Sequence, residues 1–439
     1  MIEQMKPSGI DWIGDVPQSW IVSKVKYNTI IPLTDGPHET PVFVDEGIPF
    51  YSVDGIQDDK IVYEPCRYIS TEDANRFDIK VKPQRGDILM GKAASVGKIA
   101  IIDKDVRLQV WSPLAVIRVD EKRMNNRFLR YYLLSSAAQV EIDLKSTSNT
   151  QKNIAMEDIE NITILKPEVK EQLVIADYLD SQCSKLDSII ADLEKQIDTL
   201  QKYKKSLITE TVTKGLDKSA PVKDSGIEWI GKIPEHWEVK KFSYECERIG
   251  DIDHYMPDSV DEGIPYVMTG DFIGEGNDID FENCKQISRQ DYLRLSRKMK
   301  PMINDILFAR YATIGTVRIV DTDKEFLVSY SCAIIRVKKT LFSKYVFYYL
   351  KSGAFYEEIS KYINTNTQGN VGIDSIGRAK IPLPPVSEQE LIADFLDEKC
   401  TQIDELLQIK QSQLSSIKRH KKFLIYEYVT GKKRVTEVK

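Results

Sequence analysis

No stretch of this 439-residue chain approaches the ~20 consecutive apolar residues that a membrane span requires. The six cysteines (Cys66, Cys183, Cys246, Cys284, Cys332 and Cys400) are scattered and form no CxxC pair, which argues against a zinc site and for free thiols. Only four histidines are present, His38, His236, His254 and His420, and they show no ligand spacing. There is no GxxxxGK(S/T) loop, so the chain is not an ATP-driven motor. The opening MIEQMKPSGIDW lacks the basic-then-apolar pattern of a signal peptide, and a cytoplasmic location is the expectation. The rest of the composition, 42% apolar and 29% charged, is that of an ordinary globular protein of two or three domains.

Net charge is −6, which by itself speaks against a nucleic-acid binder. Its distribution matters more than its sum. From Lys410 to Lys439 nine Lys and Arg face two Glu, so a basic tail offsets an otherwise acidic chain.

The chain does hold a long internal repeat. Pro7–Trp20 (PSGIDWIGDVPQSW) returns as Asp224–Trp237 (DSGIEWIGKIPEHW), 217 residues later, with 8 of 14 positions identical. The offset persists: Gly86–Asp103 (GDILMGKAASVGKIAIID) returns as Asn304–Asp321 (NDILFARYATIGTVRIVD), and Glu171–Asp180 (EQLVIADYLD) as Glu388–Asp397 (EQELIADFLD). A period this long is a duplicated domain, since solenoid repeats run about 20–50 residues.

Each half begins with ~165 residues of strand chemistry, such as Lys98–Asp103 and Ala115–Val119, with Val317–Asp321 and Ala333–Val337 as counterparts. One short helix is expected over Asn126–Gln139 and another over Ser343–Tyr356. Then the period changes. Ile175, Leu179, Cys183, Leu186, Ile190, Leu193, Ile197, Leu200 and Leu207 form a heptad seam. Ile392, Leu396, Cys400, Ile403, Leu407, Leu414, Ile417, Leu424 and Tyr428 form its twin. Prolines precede both helices, and Gly215 and Gly431 follow them as stops. Helices of ~43 residues would be ~65 Å long. The expected fold is mixed α+β: two tandem globular domains (1–168 and 217–385) and two long helices (169–216 and 386–431), with a basic tail (432–439). The helices are expected to pair as an antiparallel coiled coil under a pseudo-two-fold axis. Two independent helices, each packed on its own domain, are the competing arrangement.

This ordered set of motifs, occurring twice, resembles the specificity subunits of type I DNA restriction–modification systems. It comprises SGIDWIGDVPQSW and SGIEWIGKIPEHW, GDILMGKAASVGK and NDILFARYATIGT, STSNTQKNI and NTNTQGNVGI, and KPEVKEQLVIADYLD and LPPVSEQELIADFLD. Half one departs locally, with LKPEVKEQ against LPPVSEQ at the start of the helix. The resemblance implies two target recognition domains, each reading one half of a split, asymmetric double-stranded DNA sequence. It also implies helices that set the gap between half-sites and dock two methyltransferase subunits, with restriction subunits where present. S-adenosylmethionine would belong to the methyltransferase partner; no cofactor, metal or catalytic residue is expected in this chain. A ~65 Å rod approaches the length of ~14–19 base pairs at ~3.4 Å per pair.

Segments that differ between the halves are where different bases could be read: Thr34–Val44 and 57–83 in half one, Arg248–Val260 and 273–301 in half two. They offer Lys60, Arg67 and Arg76, and Arg289, Arg294, Arg297 and Lys298, although a lone Arg is more often a solvated surface group. The small-residue turns GKAASVGK and ARYATIG let a backbone approach phosphate and place basic residues at matched positions. From them Lys92, Ser95, Arg310, Tyr311 and Thr313 are expected to face DNA, with an ordinary turn as the other reading. The polar loops carrying Asn149 and Gln151, and Asn366 and Gln368, are further candidates. Trp12, Trp20, Trp229 and Trp237 sit in near-identical contexts, so they cannot account for unlike half-sites and are assigned to packing. The basic clusters Lys202, Lys204 and Lys205, and Lys418, Arg419, Lys421 and Lys422, are candidates for DNA backbone or partner contacts. Phe272–Gly276 (FIGEG) matches an S-adenosylmethionine loop literally, but it lacks a companion (N/D)PP(Y/F) loop and is absent from half one. A coiled-coil scaffold with two protein-binding heads is the alternative function.

Overall fold

The computed structural model describes residues 4–148, 151–274, 276–363 and 369–435. The chain forms two compact units. Unit 1 is Met1–Glu194 together with Ser412–Lys439, and unit 2 is Lys195–Gln411. Two helices, Val169–Lys214 and Val386–Val429, each contribute to both units. No helix among the described residues is long and apolar enough to cross a membrane.

Unit 1 is built on an antiparallel sheet in the order Ile99–Ile101, Ile88–Gly91, Leu114–Ile117, Thr34–Asp35. Alternation along these strands serves two cores, because successive side chains point to opposite faces. Ile88, Met90, Ile99, Ala115 and Ile117 pack into a core with the first long helix, while Leu89, Ala100, Leu114 and Val116 pack on the other side. Unit 2 repeats the plan. Ile306, Phe308, Val317, Ala333 and Ile335 face one core, and Leu307, Ala309, Cys332 and Ile334 the other. Its sheet runs Cys246–Gly250, Cys332–Val337, Ile306–Ala309, Val317–Ile319. A second sheet, holding Ile48–Tyr51 in unit 1 and Ile264–Val267 in unit 2, is interleaved with the first along the chain, since it also takes Gln109–Val110 and Leu327–Val328.

Each short helix expected as one piece is two. Asn126–Leu134 and Ser136–Lys145 are separated by Ser135 at φ −70°, ψ 155°; Ser343–Lys351 and Gly353–Ser360 are separated by Ser352 at φ −75°, ψ 154°. Both serines are buried, and each hydroxyl donates to a carbonyl three residues back, from Ser135 to Tyr132 and from Ser352 to Tyr349, at 2.6 Å. A serine satisfied locally in this way makes a tight corner without leaving a buried polar atom orphaned.

Within each unit, a segment of one long helix runs antiparallel to a segment of the other. In unit 1, Lys421 donates to Asp187 at 2.6 Å, Lys418 to Glu194 at 2.7 Å, and the Tyr178 and Tyr428 hydroxyls lie 3.2 Å apart. In unit 2, Lys204 donates to Asp404 at 2.6 Å. Lys421–Asp187 and Lys204–Asp404 are the same pair under the 217-residue repeat, seen from either helix. Three of the basic residues singled out from sequence, Lys204, Lys418 and Lys421, are thereby engaged between helices.

The helix ends complete the domain cores. In unit 1, Ile175, Leu179 and Cys183 from the first helix meet Leu424, Ile425, Tyr428 and Val429 from the second. In unit 2, Ile208 and Val212 meet Ile392, Leu396 and Cys400. Both helices stop at a left-handed glycine, Gly215 at φ 73° and Gly431 at φ 71°. A Cβ on Gly431 would lie 2.4 Å from Pro17, and one on Gly215 3.1 Å from the Trp237 ring, so close docking reinforces the conformational need for glycine. Trp20 and Trp237 are fully buried, and their indole N–H groups reach Glu171 at 3.3 Å and Glu388 at 3.0 Å, in the first turn of each long helix. Trp12 is partly exposed and donates to the Ala137 carbonyl at 2.9 Å.

Candidate nucleic-acid interface

The loop after the strand Ile88–Gly91 turns at Ala94, held at φ 63°. Its counterpart after Ile306–Ala309 turns at Ala312, φ 53°. A non-glycine residue in this region is held against a local preference of ~1–2 kcal/mol, so the surroundings impose the turn. The imposing contacts match in the two units. The Lys92 amide donates to the Pro113 carbonyl and the Arg310 amide to the Ser331 carbonyl, both at 2.8 Å. The Lys92 carbonyl accepts from Ile154 at 2.9 Å and the Arg310 carbonyl from Val371 at 3.0 Å.

Beside each loop lies a charge cluster centred on one buried carboxylate. In unit 1, Asp35 takes Lys80 Nζ at 2.5 Å, Lys92 Nζ at 2.9 Å and His38 Nε2 at 3.2 Å. In unit 2, Asp251 takes Arg310 Nη2 at 2.8 Å, Lys298 Nζ at 2.9 Å and His254 Nε2 at 3.2 Å. Burial alone would push each carboxyl up. The partners outweigh it and hold both below the ordinary 3.8: Lys80 and Lys92 by hydrogen bonds and charge on Asp35, and on Asp251 the hydrogen bonds of Lys298 and His254 with the charges of Arg310 and Lys298. A lowered carboxylate contributes stability that is fully present above its unfolded value and is lost as pH falls through its folded value. Acid unfolding below about pH 3.8 is therefore expected to be less steep in Asp251→Asn than in the parent chain, when stability is measured against pH. Identical slopes in the two proteins would show that the cluster contributes no such linkage.

Lys92 and Arg310, the two basic residues expected to face DNA, are both largely enclosed. The Arg310 side chain is 6% exposed. Besides Asp251, its guanidinium donates to the carbonyls of Tyr330 at 2.8 Å and Val371 at 3.2 Å, tying loop, sheet and the segment preceding the second long helix together. The Lys92 side chain is 13% exposed. Each is enclosed because a small-residue turn brings its backbone against a carboxylate more than 55 residues upstream. The surface of the cluster is carried instead by His38, Lys80, His254 and Lys298. Lys298 was among the expected contacts, and it joins Arg310 at Asp251.

The other predicted residues are dispersed. Tyr311 and Ser95 are half-buried in their loops, and Thr313 is exposed. Arg289 pairs with Glu325, and Arg297 is exposed on the surface nearby. Arg67 lies over the Phe43 ring at 5.4 Å and 3.7 Å from Asp54. Lys60, largely exposed, is 4.0 Å from Asp187 on the first long helix. Gln151 is exposed; Asn149, Asn366 and Gln368 lie outside the described residues.

Asp35, His38, Lys80, Asp251 and His254 were missed from sequence. The signal was present: DxxHxxPxxVDEGIP occurs at Asp35–Pro49 and again at Asp251–Pro265, offset 216. The segments Thr34–Val44 and Arg248–Val260, otherwise unlike, thus share four residues, and two of them, the Asp and the His, belong to the cluster.

Each unit thus repeats one frame around its own carboxylate-centred cluster, the plan of a duplicated domain. The family described as the type I restriction modification DNA specificity domain matches residues 43–199 and 246–419, and the chain belongs to it. It is a non-catalytic component that supplies DNA sequence specificity. Among its relatives, the protein provisionally named as the type I restriction enzyme MjaX specificity subunit of Methanocaldococcus jannaschii is 28% identical over 96% of both chains. The MjaVIII specificity subunit of the same organism is 27% identical over 96% of this chain and 94% of its own. A chain from a solved structure concerning complex assembly and conformational transition of the type I R-M system superposes with a TM-score of 0.66 at 15% identity, covering 95% of this chain and 99% of that one, a likeness of fold.

Proposed function

We propose that this chain reads a bipartite, asymmetric DNA target, with unit 1 addressing one half-site and unit 2 the other. It positions two methyltransferase subunits on that target in the cytoplasm, joined by restriction subunits where the system has them. The observation that carries this reading is the pairing of a shared frame with unlike surroundings. The Asp–His–Lys cluster recurs in each unit, while Ala93 and Ser112 beside it in unit 1 are replaced by Tyr311 and Tyr330 in unit 2. Two readers of one architecture and different surface chemistry give a non-palindromic target, whereas a symmetric dimer would give a palindrome. Co-expression with a type I methyltransferase subunit in a host lacking its own system is expected to produce adenine methylation at one split motif, mapped by sequencing methylated bases across the genome. Methylation absent, or present without a bipartite rule, refutes the reading. Binding by the assembled complex is expected to weaken steeply with salt, by roughly tenfold or more between 50 and 200 mM, as phosphate contacts release counterions.

A further inference from the structure

The two loops superimpose in their hydrogen bonds, so their side chains can be compared position by position. Ala93 and Tyr311 hold the same place: each makes an isolated bridge to an asparagine downstream, Asn153 and Asn370 respectively. Ser112 and Tyr330 likewise correspond, each preceding the residue whose carbonyl accepts from Lys92 or Arg310. Unit 1 thus has a methyl and a hydroxymethyl where unit 2 has two phenol rings.

The rings in unit 2 form an ordered group. His254, exposed and held by Asp251, stacks on Tyr330 at 4.8 Å between centroids and 21° between planes. Tyr311 meets Tyr330 edge-on at 6.3 Å and 89°. Both tyrosines are half-buried, so part of the surface of each remains open. Arg310, enclosed behind them, lies 5.3 Å from the Tyr311 ring and takes the Tyr330 carbonyl, which fixes both backbones. The adjoining Tyr255 is exposed and carries the Arg294 guanidinium 3.9 Å from its ring centroid. An apolar ring surface with a cation at its margin suits the edge of a base pair bearing a methyl group beside a phosphate backbone.

We propose that Tyr311 and Tyr330, with His254 stacked on Tyr330, are specificity-determining residues of unit 2, contacting the 5-methyl group of thymine in the half-site this unit reads. Ala93 and Ser112 offer no ring surface there, and their presence in place of the rings is one source of the difference between the half-sites. The inference rests on the proposed DNA-reading function and names residues within it. Arg310 and Asp251 are positioning residues here: they hold the rings and the loop and are shared in kind by both units.

The test uses the full chain co-expressed with the methyltransferase subunit, with methylated motifs mapped across the host genome. Tyr311→Ala combined with Tyr330→Ser, which installs the unit 1 residues, is expected to relax preference by about tenfold or more at one or two A·T positions of one half-site. The other half-site should be unaltered. An unchanged motif, a relaxed position that is G·C, or a uniform fall in methylation with the motif intact would each overturn the inference. A parent chain that yields no split motif would overturn the underlying function, and that outcome is visible before any variant is made. Should the double variant fail to assemble, Tyr311→Ala alone decides by the same readout. The unit 1 loop already carries alanine at that position, beside the same left-handed alanine, so the backbone tolerates it.

Discussion

Asp251→Ala is expected to destabilise unit 2 by about 3–5 kcal/mol, the cost of leaving a buried charge without its partner. Arg310 would then be a guanidinium with a 6% exposed side chain and only carbonyl acceptors around it. Arg310→Ala should cost less, because the Asp251 carboxylate retains Lys298 at 2.9 Å and His254 at 3.2 Å. Joint replacement, Asp251→Ala with Arg310→Met, should recover much of the loss, since removing both members of a buried pair removes the desolvation penalty with the attraction. Urea unfolding of the three variants measures this directly. Hydrogen exchange would assign the loss to unit 2, which matters because a two-unit chain is not expected to unfold in one step. The cycle also tests the sequence-based expectation that Arg310→Ala weakens recognition of one half-site by ~1–3 kcal/mol through a base contact. If the single variants leave stability within 1 kcal/mol of the parent while one half-site's preference disappears, Arg310 is a reader and not a strut.

Trp237→Ala should be of similar size, about 3–5 kcal/mol, for a different reason. The indole is fully buried, and its ring closes over the glycine that ends the first long helix while its N–H holds Glu388 at the start of the second. Truncation therefore opens a cavity where strand, helix end and helix start meet. Its twin, Trp20→Ala, should do the same to unit 1, where the indole contacts Glu171 and Gly431. Hydrogen exchange should place each loss in its own unit. A loss below about 1 kcal/mol in both would mean that the tryptophans are not the hinge of helix docking that their burial indicates.

These two predictions come from different depths of legibility. The tryptophans could be assigned to packing from sequence because a residue identical in both halves serves what the halves share. The long helices were also legible. A seam such as Ile175, Leu179, Cys183 is a property of local spacing, and Gly215 and Gly431 mark helix ends by local backbone chemistry. The division of each short helix at Ser135 and Ser352 was not legible, since serine is tolerated inside helices and at corners alike, and burial selects the corner.

The charge cluster shows where sequence reading stops. Asp35 lies 45 positions from Lys80 and 57 from Lys92. Charged residues this far apart carry no sign in their spacing that they will meet. The DxxH spacing repeated at offset 216 was visible, yet spacing alone cannot say that its carboxylate is buried or that Lys92 and Arg310 will turn inward to it.

By itself the sequence determined that one domain plan occurs twice, that two heptad helices accompany it, and that any difference in recognition must lie where the copies disagree. Those are statements about pattern, and pattern survives without coordinates because burial imposes a period on the chain. Only the tertiary structure decided which matched cations are enclosed and which side chains are left on the surface. Enclosure depends on what the sheet and the strained loop bring against each group from far along the chain. Lys92 and Arg310 turn inward, and the residues beside them, Ala93 and Ser112 in one unit and Tyr311 and Tyr330 in the other, carry the difference between the units.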